Sequence, residues 1–184
     1  MTTAVLILCG GKTSRMGQDK GLLLRNEKTW IERQVIEFEQ LGDVFISVGS
    51  HNEANYSKFG YPLICDYPNM ESYNGVFKAL SVAKQHLMSY DNLIFIPVDM
   101  QLLSCFTVKE LVKSSSDVCF ENRKGMYSLP FKITSSTLAS IDITHFKNQS
   151  VKYFLDEMQF KKIKIESDEF QNLNSPDDID KWLA

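Results

Sequence analysis

The sequence has few of the residues that build metal clusters or disulfides. Its 184 residues include four cysteines and three histidines, which are scattered along the chain without a C-x-x-C pair. Because a zinc cluster needs closely spaced ligands, this scatter argues against such a cluster and favours free thiols in a reducing compartment. The cysteines are Cys9, Cys65, Cys105 and Cys119.

The sequence also lacks a strong net charge and a long apolar run. Its formal net charge of −3 gives no overall attraction for nucleic acid or an anionic membrane, so any phosphate site must be local. No stretch reaches the about 18 apolar residues of a membrane span. The apolar run at residues 4–8 is too short for a secretory core, and no basic segment precedes it. These features predict a cytoplasmic protein that binds neither nucleic acid nor membrane.

Repeats, low-complexity tracts and linkers are absent too, and a hydrophobic content of 43% is typical of a globular protein. One domain over residues 1–184 is therefore expected. Predicted strands alternate with predicted helices, which favours an α/β fold with a doubly wound, mostly parallel sheet and helices on both faces. The strands are expected at 4–8, 44–48, 62–65, 93–96, 118–120, 126–133 and 161–165, and the helices at 29–41, 75–87, 107–113, 150–158 and 175–182.

A glycine-rich, basic loop follows the first strand. Gly10 and Gly11 let backbone N–H groups turn toward an anion, and Arg15 and Lys20 supply positive charge. Such a loop suits a polyphosphate. For a generic glycine pair, an ordinary strand-to-helix turn with solvated charges would be the better explanation.

Two common phosphate-binding loops do not match this stretch. A Walker A loop ending in Gly11-Lys12-Thr13 would need glycine at position 6, which is Leu6. The dinucleotide fingerprint needs G-x-G-x-x-G, whereas Gly10 and Gly11 are adjacent and the next glycine is Gly17. Both of these loops are therefore excluded.

The loop resembles instead the signature L-A-G-G-x-S-x-R-M-G-x-D-K of nucleotidyltransferases, most closely that of molybdenum cofactor guanylyltransferases. Cys9 replaces the usual alanine. Family members that use CTP commonly have alanine-alanine where this chain has Cys9-Gly10, and a glycine there leaves room for the guanine amino group. The matching positions are Leu8, Gly10, Gly11, Ser14, Arg15, Met16, Gly17, Asp19 and Lys20.

The resemblance implies a Mg²⁺-dependent transfer of GMP from GTP to the phosphate of molybdopterin, with release of pyrophosphate. Arg15 and Lys20 would be catalytic and hold the triphosphate, and Asp99 would be catalytic and bind the metal. Molybdoenzymes or cofactor-delivery proteins are implied as further partners. The implied nucleotide-binding positions are Leu8, Cys9, Gly10, Gly11, Lys20, Ser47, Asp66, Gly75 and Asp99.

Several of these positions have a second interpretation from the residues alone. Asp99 follows a buried strand and could be a turn or capping aspartate, and Ser47 could be an ordinary strand-end serine. The stretch from Asn172 to Ile179 is similar to the family's N-x-N-x-P-E-[DE]-L and is also a capped helix start. In the functional interpretation Asn172 and Asn174 contact the acceptor or the metal's water shell.

Besides Cys9, the chain departs from the family before the second helix and on the acceptor side. Relatives typically have G-P-L-x-G before the second helix, whereas this chain has residues 71–75 as E-S-Y-N-G, with only Gly75 retained. On the acceptor side, Lys147 and Lys152 could bind a pterin phosphate or be solvated surface lysines. Two alternatives therefore stay open: a cytidylyl- or sugar-phosphate nucleotidyltransferase, and a non-catalytic nucleotide-binding protein.

Overall fold

A computed structural model of the chain describes residues 1–9, 19–67, 70, 73–123, 125–174 and 178. These residues form nine strands, of which the short β2 and β3 pair as a separate hairpin and the other seven form one sheet. The strands are β1 Thr3–Leu8, β2 Leu24–Arg25, β3 Lys28–Thr29, β4 Asp43–Val48, β5 Leu63–Cys65, β6 Asn92–Pro97, β7 Val118–Asn122, β8 Gly125–Thr134 and β9 Lys161–Lys164.

The sheet is mostly parallel, as predicted. Its strand order is β5-β4-β1-β6-β8-β7-β9. The first four of these strands pair in parallel, whereas β8 is antiparallel to both β6 and β7, and β9 is parallel to β7. All strands of this sheet except β8 therefore end at the same edge, which we call the carboxyl edge. In such sheets ligands bind at this edge.

Helices cover the sheet, and most of them begin directly after a residue whose side chain caps the first turn. Thr29 accepts a hydrogen bond from the Glu32 amide, and the Glu32 side chain bonds back to Thr29, which forms a capping box at the start of α1. The helices are α1 Trp30–Phe38, α2 Glu53–Ser57, α3 Gly75–His86, α4 Cys105–Lys113, α5 Ser135–Ser140 and α6 Val151–Glu157. The helix predicted at 175–182 falls, apart from Asp178, outside the described residues.

Alternate residues of the strands enter two separate cores. In β1, Val5 and Ile7 pack with α1 and α4 on one face, while Ala4 and Leu6 pack with α3, α5 and α6 on the other. Because side chains alternate along a strand, a strand covered on both faces must be apolar throughout. The doubly wound prediction is confirmed. No helix of the described residues is long and apolar enough to cross a membrane.

Candidate active site

The predicted donor-side positions that the structure describes lie at the carboxyl edge. Leu8 ends β1, Ser47 lies near the end of β4, and Asp66 and Asp99 directly follow β5 and β6. Four strands of the sheet therefore contribute to one end of it. The predicted positions Gly10, Gly11 and Arg15 lie outside the described residues.

Three predicted residues from distant parts of the chain meet at this edge. The Lys20 ammonium group donates to Asp99 Oδ2 at 2.9 Å and to Asn174 Oδ1 at 2.5 Å. These partners are 79 and 154 residues away from Lys20 in sequence. We call Lys20, Asp99 and Asn174 the Lys20 cluster. Its side chains are partly exposed, 23% for Lys20 and 21% for Asp99, so a ligand arriving from solvent can reach them.

The segment that carries Asn174 is tied to the body of the protein at two points that precede Asn174 in the chain. The Leu173 amide donates to the Asp99 carbonyl at 3.0 Å. Further upstream, Glu169 accepts hydrogen bonds from the amide and the hydroxyl of Ser104, both at 2.8 Å. Burial raises the pKa of Glu169, but the hydrogen bonds from Ser104, Thr107 and Ser167 together outweigh it and leave the pKa below its usual value. Glu169 is therefore a charged anchor at the start of α4. Asn172 is exposed, and Lys20 bonds Asn174 rather than Asn172.

Asp66 is engaged on both of its carboxylate oxygens. Oδ1 accepts a hydrogen bond from the Ser50 amide at 2.7 Å, and Oδ2 pairs with the Lys78 ammonium at 2.9 Å. The side chain of Asp66 is 15% exposed and that of Lys78 24%. Asp66 thus joins the loop after β4 to α3 and brings a further cation, Lys78, to the carboxyl edge. Its predicted contact with the nucleotide stays a prediction.

The structure also describes two further predicted nucleotide-binding positions, Cys9 and Gly75. The Cys9 amide donates to the Ser47 carbonyl at 2.8 Å, so the backbone that leads into the glycine-rich loop continues the β1–β4 pairing. Burial raises the pKa of the Cys9 thiol well above its usual value, which keeps it protonated and unsuited to act as a nucleophile. Gly75 is the first residue of α3, which Asn74 caps by accepting from the amides of Val76 and Phe77.

Comparison with known proteins decides the family. A model of the family described as MobA-like NTP transferase domain matches residues 5–160. The chain belongs to this family. A molybdenum cofactor guanylyltransferase of Haemophilus influenzae is 27% identical over 199 residues, covering 100% of this chain and 98% of the relative. The family indicated by the signature loop is therefore confirmed, and the chain is a nucleotidyltransferase.

Solved structures of similar proteins agree with this fold. A molybdopterin-guanine dinucleotide biosynthesis protein A from Archaeoglobus fulgidus has a TM-score of 0.68 at 15% identity, covering 98% of this chain and 96% of that one. A Mycobacterium tuberculosis H37Rv protein in complex with manganese has a TM-score of 0.67 at 13% identity, covering 100% and 98%. At these identities the similarity shows a shared fold.

The Lys20 cluster offers this MobA-like domain a place for a divalent cation. Among the residues that the structure describes, no three histidine, cysteine, aspartate or glutamate side chains are grouped around a common point. Mg²⁺ does not need such a group, because it commonly binds one or two carboxylates together with substrate phosphates and water. Within the described part of the chain, Lys20 donates to Asp99 Oδ2, and Asp99 Oδ1 accepts no hydrogen bond. The Asp99 carboxylate therefore fits a hard cation that also binds phosphate.

Sequence reasoning missed the residues that hold Asp19, the signature residue before Lys20. Asp19 Oδ1 accepts from the Tyr56 hydroxyl at 2.6 Å and from the Gly21 amide at 3.0 Å. Asp19 Oδ2 accepts from Asn52 Nδ2 at 3.2 Å. Nothing in the spacing of residues 50–57 indicates this contact. A sequence signal exists only in Gly21, which permits the close approach of Tyr56.

A cavity of about 580 Å³ lies further along the carboxyl edge of the MobA-like domain. It is formed by the end of β7, the β7–β8 turn and the residues after β9. The predicted acceptor-side lysine Lys152 is close by, since its Nζ lies 3.6 Å from where a Cβ on Gly125 would be. Polar and charged residues that line the cavity are Glu121, Asn122, Arg123, Lys164 and Glu166.

Proposed function

We propose that this MobA-like enzyme transfers GMP from GTP to the phosphate of molybdopterin and releases pyrophosphate. The observation that carries the proposal is the Lys20 cluster, which joins a cation of the signature loop to a carboxylate and an amide at the carboxyl edge. Support for the acceptor comes from the names of the similar proteins, which are molybdenum cofactor guanylyltransferases. Support for the base comes from Cys9-Gly10, where relatives that use CTP commonly have two alanines.

In the proposed reaction, the protein contributes mainly binding and charge. Lys20, with Arg15 and the amides of the glycine-rich loop, holds the triphosphate of GTP and stabilises the negative charge that grows on the departing pyrophosphate. The acceptor phosphate is already ionised at neutral pH, so its oxygen attacks the α-phosphorus without a protein base. No covalent protein intermediate is needed, in keeping with the protonated, buried thiol of Cys9.

The proposed metal is Mg²⁺, held by the Asp99 carboxylate. When bound, the ion would neutralise charge on the phosphates and on the leaving group. Two hydrogen bonds hold Asp99 in place. Its carbonyl accepts one from the Leu173 amide, and its carboxylate accepts one from the Lys20 ammonium group. Asn174 adds an uncharged oxygen beside the carboxylate, so the cluster gains an acceptor without adding negative charge near a triphosphate.

The cavity at β7 and β9 is our candidate for the rest of the acceptor. Its volume lies in the range of small-molecule sites, and it opens on the same edge of the sheet as Asp99. With neighbouring strands about 4.8 Å apart, β7 and β9 lie two and three strands, roughly 10–14 Å, from β6. This separation is compatible with one extended acceptor molecule whose phosphate lies at Asp99 and whose heterocycle lies in the cavity. The cavity offers both cations and carboxylates to such a ligand.

The base preference is tested by supplying one nucleoside triphosphate at a time. With Mg²⁺ and molybdopterin, we expect pyrophosphate release from GTP and at least about tenfold less from ATP, CTP or UTP. The Gly10→Ala variant should lose roughly 10- to 100-fold in kcat/KM for GTP, since one added methyl in a fitted site costs about that much. The matched control is Gly60→Ala at an open turn, where a Cβ meets no atom within 4 Å.

The pattern of pyrophosphate release distinguishes the proposed reaction from its two alternatives. Release from CTP but not from GTP would contradict the base assignment and support the cytidylyl alternative. Triphosphate binding without turnover on molybdopterin or on sugar phosphates would support the non-catalytic alternative. Gly60 has a positive φ of +73°, so its alanine variant is expected to lose some stability but no selectivity between bases.

A further inference from the structure

Tyr56 is buried at a point where three segments of the active-site edge meet. It lies on the short helix α2 and is 0% exposed. Its hydroxyl donates to Asp19 Oδ1 at 2.6 Å, and its ring packs edge-on against Phe59 at a centroid distance of 6.2 Å. The thiol of Cys9 is a near neighbour of the same hydroxyl. Tyr56 therefore joins α2 to both ends of the stretch that contains the glycine-rich loop.

Groups of the protein itself occupy the carboxylate of Asp19. Its two oxygens accept three hydrogen bonds, from Tyr56, Gly21 and Asn52. Within the described residues this leaves Asp19 little capacity to coordinate a metal or to face a triphosphate. Asp19 is also the N-cap of the 3₁₀ turn Lys20–Leu22, since it accepts from the Gly21 amide. The carboxylate thus fixes the backbone from which the Lys20 side chain extends.

Gly21 shows how closely Tyr56 approaches this turn. A Cβ added to Gly21 would lie 2.2 Å from the Tyr56 hydroxyl oxygen, far inside van der Waals contact. Gly21 is buried in the structure, so a side chain there could not escape the clash by pointing into solvent. The space for the hydroxyl therefore depends on glycine. If Tyr56 only filled the core, its ring would be enough, and a hydroxyl group beside this turn would not be needed.

We propose that Tyr56 is a positioning residue for Lys20: through Asp19, its hydroxyl fixes the turn from which the Lys20 ammonium reaches the triphosphate. Asn52 supports the same carboxylate on its other oxygen. The inference rests on the proposed binding of a nucleoside triphosphate by Lys20, but not on which base or acceptor is used. Hydrogen bonds to a charged group are among the stronger ones in proteins. Loss of the hydroxyl should therefore weaken triphosphate binding measurably.

The test is a double-mutant cycle on binding. Affinity for GTP with Mg²⁺, and for CTP in parallel, is measured by isothermal titration calorimetry in the wild type, Tyr56→Phe, Lys20→Ala and the double variant. We expect Tyr56→Phe to weaken binding about tenfold when Lys20 is present and to have no further effect when Lys20 is already alanine. Equal losses in both backgrounds would show a general structural role and overturn the inference.

A matched control and a second variant complete the experiment. Tyr90→Phe removes another tyrosine hydroxyl that donates to a carboxylate, Asp43 Oδ2 at 2.7 Å, at the opposite end of β4, and it should leave triphosphate affinity unchanged. Asn52→Ala removes the other side-chain donor to Asp19 and should show the same dependence on Lys20 as Tyr56→Phe. It tests the inference even where Tyr56→Phe lowers the melting temperature.

The outcomes separate this inference from the proposed function. A wild type that binds no nucleoside triphosphate would contradict both. A wild type that binds a triphosphate, with additive losses for Tyr56→Phe and Lys20→Ala, would contradict only the role of Tyr56. Tighter binding of CTP than of GTP, with the expected non-additive pattern, would contradict the choice of base and support the role of Tyr56.

Discussion

Replacement of Lys20 by alanine is expected to lower kcat by about 10²- to 10³-fold, the usual loss when one group that stabilises transition-state charge is removed. Lys20 is the cation that the structure places beside both Asp99 and Asn174. Without it, charge on the departing pyrophosphate is less stabilised and two acceptors lose their donor. The measurement is the steady-state rate of pyrophosphate release at saturating GTP, Mg²⁺ and acceptor.

The fold should tolerate the loss of Lys20. Its ion pair with Asp99 reaches solvent on both sides, so water can hydrate Asp99 once Lys20 is lost, and we expect a stability loss of about 1 kcal/mol. The matched control is Lys162→Ala, because Lys162 also pairs with an aspartate, Asp156, at 2.9 Å, but on the edge strand β9. We expect both variants to keep their melting temperature within a few degrees. Full turnover by Lys20→Ala would refute the role of Lys20.

Replacement of Asp99 by asparagine is expected to reduce turnover by at least about 10²-fold and to raise the Mg²⁺ concentration needed for half-maximal rate. The change keeps the size of the side chain and leaves the Asp99 carbonyl to accept the Leu173 amide. It removes the charge that attracts a hard cation. Titration of the rate with Mg²⁺ distinguishes a metal-binding role from a purely structural one.

The control for Asp99 is Asp156→Asn. Asp156 lies on α6, and its carboxylate forms an equally short ion pair with Lys162 of β9. This variant should keep the wild-type dependence on Mg²⁺. If Asp99→Asn were slow but had an unchanged Mg²⁺ dependence, its carboxylate would act only through Lys20. Wild-type turnover by Asp99→Asn would contradict every role given to it here.

Much of the fold follows from local patterns in the sequence. The apolar strand at 4–8 and the capped helix at Thr29 form where expected. The strand predicted at 161–165 is β9, the last strand of the sheet. These elements are set by side-chain periodicity and capping, which act over a few residues.

The direction of β8 was not predictable in the same way. Alternation of apolar residues indicates a strand but says nothing of which way it runs beside its neighbours. The antiparallel insertion between β6 and β7 is therefore a finding of the structure. The hairpin β2–β3 was not among the predicted strands, and in its turn Asn26 and Glu27 have positive φ angles of 50° and 66°. Strands of two residues leave no periodic signal.

The site shows the same division. The resemblance to known nucleotidyltransferases indicated Lys20, Asp99 and Asn174 separately, and the structure brings their side chains together. The partners of the supporting residues were not predictable, because they depend on tertiary packing. Asp19 meets Tyr56 across 37 residues, and Asp66 pairs with Lys78 across the loop that precedes α3.

Mass spectrometry of the product tests the proposed reaction most directly. The purified wild-type protein is incubated with GTP, Mg²⁺ and molybdopterin, and the product and pyrophosphate are quantified. We predict a molybdopterin guanine dinucleotide in an amount equal to the pyrophosphate released. The proposed reaction would be contradicted if this dinucleotide were absent and the protein instead formed a dinucleotide from CTP or a nucleotide-sugar from a sugar phosphate.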